Sequence, residues 1–264
     1  MTESSKTFVP EAAGPLRRDL LSIVARDVDV RYTVYEEPHV SARKAVSRGF
    51  KSRRTIEVHA VKNVSFDVHV GEAVGILGSN GSGKSTLLRS IAGLQSLSNG
   101  SIKVRGEVGL LGVGAALKPS LSGYRNVILG GLALGMSREQ IEDQLDEIVE
   151  FSGLSDAMAR PMSTYSSGMR ARLAFSISTL RVPDVLLVDE ALAVGDKEFR
   201  ARSLERLGEI RAKAGTILMV THNLSEIRES CRRAIWLDQG TIRMDGLVED
   251  VIAAYESPTG HRPA

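Results

Sequence analysis

Eight consecutive residues, Gly78-Ser79-Asn80-Gly81-Ser82-Gly83-Lys84-Ser85, constrain this chain more than any other stretch. They fit the pattern G-x-x-x-x-G-K-[ST], they follow the apolar run Ala73 to Leu77, and they precede a helix expected to begin Ser85-Thr86-Leu87-Leu88. That strand, loop and helix order is what phosphate binding needs. Glycines let backbone N–H groups turn inward around phosphate oxygens, and the helix adds its positive end. Lys84 would bridge the terminal phosphates and the Ser85 hydroxyl would ligate Mg²⁺. The candidate nucleotide contacts are therefore Gly78, Ser79, Asn80, Gly81, Ser82, Gly83, Lys84, Ser85 and Thr86, with ATP and Mg²⁺ as the expected cofactors. The bland reading, a glycine-rich turn with a surface lysine, leaves the flanking pattern without a purpose.

The rest of the chain supplies the sheet that such a loop requires. Before Gly71, Val28 to Tyr32 and Val64 to Val70 alternate apolar and polar residues, which predicts half-buried antiparallel strands. After it, Ala73 to Leu77, Val185 to Val188 and Ile217 to Val220 are short continuous apolar runs, as expected of parallel strands buried on both faces. Between the first two of these, from Ser137 to Ile177, apolar residues recur at helical spacing and predict an inserted helical subdomain. Ala234 to Ile242 reads as strand, turn and strand, followed by a helix through Val251 and Tyr255. The fold class is α/β: a parallel-sheet core, an antiparallel β subdomain and a helical insert. The expected boundaries are a tail over 1–20, one domain over 21–257 with its helical subdomain at 118–180, and a second tail over 258–264.

Two carboxylates, Asp189 and Glu190, end the buried run Val185 to Val188, and an open α/β sheet binds ligands at the carboxyl ends of its strands. An acidic pair there is on its own more often a solvated turn. Beside a phosphate loop it divides into two tasks: Asp189 would hold Mg²⁺, directly or through water, and Glu190 would orient or deprotonate the attacking water. His222 ends the run Ile217 to Val220, where a neighbouring strand would bring it near the γ-phosphate, although a lone histidine is usually structural. The catalytic candidates are Glu190, His222 and Lys84, and the metal candidates are Ser85 and Asp189.

Bulk properties exclude some partners. The 34 basic and 32 acidic residues are too nearly balanced for a surface that is basic overall, so no nucleic-acid partner is expected. No run approaches the roughly 18 apolar residues of a membrane-spanning helix. Met1 to Arg18 has no apolar secretion segment, so a cytosolic protein is expected. Cys231 is the single cysteine and reads as a packing residue. Between Glu36 and Thr55 lie Arg43, Lys44, Arg48, Lys51, Arg53 and Arg54, interleaved with Val40, Ala45, Val46 and Phe50. This insert is either a basic amphipathic element facing the membrane surface or a solvated loop.

The subclass comes from Tyr165-Ser166-Ser167-Gly168-Met169-Arg170-Ala171-Arg172-Leu173-Ala174. This stretch resembles the signature of the ATPase subunit of ABC transporters, usually Leu-Ser-Gly-Gly-Gln. Together with Asp189-Glu190-Ala191-Leu192-Ala193-Val194-Gly195-Asp196, it resembles the branch that exports O-antigen, teichoic acid and related lipid-linked polysaccharides. Leu117 to Asn126 and Ile235 to Gly240 also resemble that branch's recurrent stretches, and the likeness runs from Leu21 to Tyr255. The resemblance implies a RecA-like core of ABC type, and Ser166 and Gly168 reaching the γ-phosphate of ATP held by a second copy of the chain. It puts Asp196 in a loop coupling the two sites and His222 in the switch position, and it expects an aromatic to stack on adenine. Tyr32 is the first choice and Tyr35 the second, each being otherwise a strand tyrosine packed on the subdomain.

The implied partners are two copies of a polytopic membrane permease, a second copy of the chain and a lipid-linked glycan reached through the permease. The implied location is peripheral, on the cytoplasmic face of the cell membrane. The family's usual Gln after the next strand is missing between Gly112 and Leu117, so no metal ligand is assigned there. Some O-antigen exporters carry a further carbohydrate-binding domain after the ATPase, and without one substrate selection would fall to the permease. The rival reading is a non-transport ABC ATPase acting on nucleic acid or ribosomes. A third is a scaffold that binds ATP without turnover, against which Glu190 and His222 both speak.

Overall fold

A computed structural model describes residues 17–35, 55–111, 117–189, 196–221 and 223–257. In chain order the first elements are β1 (Arg17–Tyr35), β2 (Thr55–Val70), β3 (Ala73–Leu77), α1 (Lys84–Ile91), β4 (Asn99–Val104) and β5 (Val108–Leu111). The helical insert follows as α2 (Gly123–Ala133), α3 (Arg138–Asp143), α4 (Leu145–Ser152) and α5 (Ser167–Ser178). The chain then returns to the core through β6 (Val185–Val188), α6 (Lys197–Lys213), β7 (Thr216–Val220), α7 (Leu224–Ser230), β8 (Arg233–Asp238), β9 (Thr241–Leu247) and α8 (Val248–Glu256).

β1 and β2 pair as one long antiparallel hairpin, with Ile23 opposite Val68 and Val34 opposite Ile56, and β4 adds to the free side of β1. The alternating stretches were thus the inner parts of longer strands. β1 begins at Arg17, four residues before the boundary expected at Leu21. The basic insert lies outside the described residues except for Thr55, which opens β2.

The second sheet has the order β5-β6-β7-β3-β8-β9, parallel throughout except for the β8–β9 pair. Its strands are apolar on both faces because both faces are covered. Val74, Ile76, Val185, Leu187, Leu218 and Val220 pack toward the antiparallel sheet with Leu87, Leu88 and Ile91 of α1. Leu77, Leu186, Val188 and Met219 point the other way, onto Phe199, Leu207 and Ile210 of α6 and Val251 and Ile252 of α8. Each such side chain contributes about 1.5–3 kcal/mol by leaving water. Cys231 is buried in this second layer, and burial pushes its thiol up to about 12, so it packs as an inert residue.

The insert has a core of its own, including Val127, Ile141, Ile148, Met158, Tyr165, Leu173 and Ile177. The periodic stretch expected over 137–177 is divided into three α-helices, with two short 3-10 turns at Ser155–Ala157 and Met162–Thr164. Ser137 starts α3 with a capping box to Gln140, Gly153 ends α4 in a left-handed conformation at φ 62°, and Ser166 caps α5 by accepting the Met169 N–H at 3.2 Å. Among the described residues no helix is long and apolar enough to cross a membrane.

Candidate functional site

The parallel strands deliver their carboxyl ends to one edge of the sheet, and β7 lies between β3 and β6. Val188 is level with Met219, and Ile76 with Val220. The loop after β3 and the acidic end of β6 are therefore one strand apart. Sequence spacing alone does not show this, since the two segments are separated by more than a hundred positions.

Gly78 to Gly83 wraps the gap between β3 and α1, and the helix starts at Lys84, one residue earlier than expected. Two glycines are required by space as well as by backbone. At Gly83 (φ 104°) a Cβ would lie 2.3 Å from the Ala60 carbonyl oxygen, and at Gly78 (φ 151°) 2.2 Å from that of Leu237. Replacing Gly83 by Ala is therefore expected to cost about 1–3 kcal/mol from the backbone conformation alone, with the clash added. Thermal unfolding checks it: an unchanged midpoint would contradict the packing described. The loop is also held from outside, because the Gly240 N–H donates to the Ser82 carbonyl at 3.0 Å and the Lys62 N–H to the Gly240 carbonyl at 2.8 Å. The turn between β8 and β9 is thus a support of the phosphate loop. The sequence marked that turn as Asp238-Gln239-Gly240 without showing what it rests on.

Lys84 is buried, and its ammonium donates to the carbonyl oxygens of Gly78 at 2.6 Å and Ser79 at 2.8 Å. Its charge therefore sits within the loop. No side chain caps α1, so the helix terminus presents its N–H dipoles to the loop. The Ser82 hydroxyl is buried without a hydrogen-bond partner. A loop with a buried ammonium, an uncapped helix terminus and an unsatisfied hydroxyl suits a polyanion.

Ser85 Oγ donates to Asp189 Oδ1 at 3.2 Å, which joins the start of α1 to the end of β6 across the sheet. Among the described residues no cluster of three acidic, histidine or cysteine side chains could hold a metal. One hydroxyl and one carboxylate fit Mg²⁺, which keeps several waters and takes its other ligands from substrate phosphates. Asp189 is itself fixed by its N–H to the Leu111 carbonyl at 3.3 Å.

Glu190 and His222 lie outside the described residues, but the residue before His222 is well anchored. The Thr221 hydroxyl donates to Glu226 at 3.3 Å and accepts the Asn223 N–H at 3.1 Å, while Asn223 caps α7. Tyr32 is 39% exposed near the outer end of β1, opposite Val58. The side chain of Tyr35 is not among those described.

Ser166 and Gly168 stand apart from the phosphate loop. They line a cavity of about 680 Å³ with Gly153, Arg160, Arg172 and Asp196, and the loop contributes nothing to its walls. Asp196 caps α6, accepting the Phe199 N–H at 2.9 Å, and pairs with Arg172. The capping N–H, followed by the Arg172 guanidinium, holds its carboxyl below the usual carboxylate range.

A family model described as ABC transporter matches residues 61–193. The chain is 39% identical over 232 residues to a teichoic acids export ATP-binding protein, TagH, of Bacillus cereus, covering 88% of this chain and 42% of that protein. The TagH protein of Staphylococcus epidermidis is 40% identical over 199 residues, 75% of each chain. The O-antigen export system ATP-binding protein RfbB of Myxococcus xanthus is 39% identical over 206 residues, 78% of this chain and 47% of that one. The chain thus spans less than half the length of the Bacillus and Myxococcus relatives.

The fold matches a solved ATP binding subunit of an ABC transporter with a TM-score of 0.66 at 22% identity, covering 89% of this chain and 93% of that one. It also matches a dimeric ATP-binding cassette in a post-hydrolysis state with ADP and Pi, with a TM-score of 0.63 at 22% identity, covering 86% and 98%.

Proposed function

The chain belongs to the ABC transporter family, and from that premise we propose that it binds and hydrolyses ATP to drive export of a lipid-linked polysaccharide through a separate membrane permease. The observation that carries this reading is the Ser85–Asp189 contact at the mouth of a glycine-walled loop, beside the buried Lys84 ammonium. In this reading the loop N–H groups and Lys84 grip the β- and γ-phosphates. Ser85 and Asp189 would hold Mg²⁺, which would neutralise charge on the transferring phosphoryl group. Glu190 orients the attacking water and takes its proton. The water oxygen bonds to the γ-phosphorus as the bond to the β–γ bridging oxygen breaks, and ADP leaves. His222 would contact the γ-phosphate from the end of β7, and Tyr32 would stack on adenine through its exposed ring.

Ser166 and Gly168 line a cavity without the phosphate loop. They would complete the site of a second copy, so that two chains enclose two ATP molecules and two copies of a permease complete the exporter. The chain would then sit peripherally on the cytoplasmic face of the membrane. The export names of the relatives favour this over action on nucleic acid or ribosomes. Depleting the protein in its host is expected to leave one full-length polyprenyl-linked polymer on the inner side of the membrane. An unchanged distribution of lipid-linked glycans would remove the export reading.

A further inference from the structure

The two ends of the proposed nucleotide site belong to different sheets, and one small junction joins them. Tyr32, the ring offered to adenine, is on the β1–β2 hairpin opposite Val58, whereas the phosphate loop follows β3 of the core sheet. From His59 to Val64 β2 takes five steps while its partner β1 takes three, from Arg31 to Val28. β2 therefore bulges there, which frees backbone groups from the hairpin ladder. Those groups reach the core. The Lys62 N–H donates to the Gly240 carbonyl at 2.8 Å. The Ala60 carbonyl oxygen stands 2.3 Å from the place of a Cβ on Gly83 and 2.9 Å from that of one on Gly240.

Gly240 completes the junction. It and Gln239 are both left-handed, at φ 87° and 46°, as a two-residue hairpin turn between Asp238 and Thr241 requires. In that turn its N–H donates to the Ser82 carbonyl at 3.0 Å while its own carbonyl takes the Lys62 N–H. One residue without a side chain thus holds the phosphate loop on one side and the hairpin on the other. Val58 is about 7 Å along β2 from Ala60, so only a short piece of strand separates the junction from the base end of the site. We infer that Gly240 is a positioning residue for nucleotide selection, setting the hairpin against the phosphate loop so that one ATP molecule reaches Tyr32 and Lys84 together. The inference rests on the reading that the loop grips the phosphates and Tyr32 stacks on adenine. Gly240 acts through the two segments it holds.

The test compares Mg-ATP with inorganic tripolyphosphate, which has the phosphates and no base, by calorimetric titration of the full chain. In Gly240→Ala the added Cβ must push the turn away from Ala60. The phosphate contacts are made within 78–85, so a shift of the loop as a unit keeps them and misaligns only the base. ATP is expected to bind about tenfold more weakly, within what stacking of one base supplies, and tripolyphosphate to stay within about twofold of wild type. Thr241→Ala loosens the same turn without a clash, since it removes only the hydroxyl that donates to the Asp238 carbonyl at 3.0 Å. It should show the same selective loss at about two- to threefold. Tyr32→Ala should also lose ATP selectively, and adding Gly240→Ala to it should cost little more, because the two act on one contact. Wild-type affinities in both turn variants, equal losses for the two ligands, or losses that multiply in the combination would each overturn the inference. A wild-type chain that binds tripolyphosphate as tightly as ATP would overturn the adenine site itself and the inference with it, a different result from silent turn variants of a chain that prefers ATP.

Discussion

Replacing Lys84 by Met is expected to weaken ATP binding by about a hundredfold and to abolish turnover at ordinary nucleotide concentrations. Met keeps the apolar stem and removes the ammonium. That ammonium is buried, and it reaches the carbonyl oxygens of Gly78 and Ser79 at 2.6 and 2.8 Å. When a polyphosphate enters, the same three N–H donors can turn to its oxygens without crossing solvent. A hydrogen bond to a charged group contributes about 1.5–3 kcal/mol, and about 2.8 kcal/mol is a hundredfold in Kd. Titration with a fluorescent ATP analogue checks this. An unchanged Kd would mean that the loop binds phosphate by its backbone alone.

Glu190→Gln should give the opposite pattern: ATP bound normally, turnover reduced about a hundred- to ten-thousandfold. Gln is isosteric and still accepts a hydrogen bond from water, but it takes no proton. Binding should survive because the phosphate contacts would come from the loop and from Lys84, with Asp189 anchored independently through Ser85 and Leu111. Single-turnover ATPase measurements alongside equilibrium binding separate the two effects. Hydrolysis at the wild-type rate would assign the water to another residue.

Much of this site is local in sequence, and local features were legible. The loop, its strand and its helix are contiguous, and the β-branched runs at 73–77, 185–188 and 217–220 have the composition of strands covered on both faces. The ABC-type fold and family expected from Ser166, Gly168 and the Asp189 segment agree with the matching family model and relatives. β4 went unread even though Ile102 and Val104 alternate with Ser101 and Lys103 between Gly100 and Gly106, a period-two signal in a short strand. α2 falls inside the helical subdomain expected over 118–180, but the periodic stretch was read only from Ser137, because Gly123, Gly130 and Gly131 are poor helix formers that obscure α2's own limits.

What the sequence did not show was contact across distance. The strand order that brings Asp189 to Ser85, the Gly240 support under the phosphate loop and the Arg172–Asp196 pair all join segments that the chain keeps apart. Such partners are chosen by sheet topology and helix packing, which no window of neighbouring residues encodes.

In the proposed reading one chain holds ATP and a second copy completes the site. Mg-ATP hydrolysis by the purified protein, measured across a wide range of protein concentration, tests it directly. Specific activity should rise with concentration and level off as pairs form, because in the proposed reading Ser166 and Gly168 would come from another copy. A specific activity that stays constant down to concentrations where the chain is monomeric, or no hydrolysis at any concentration, would contradict it.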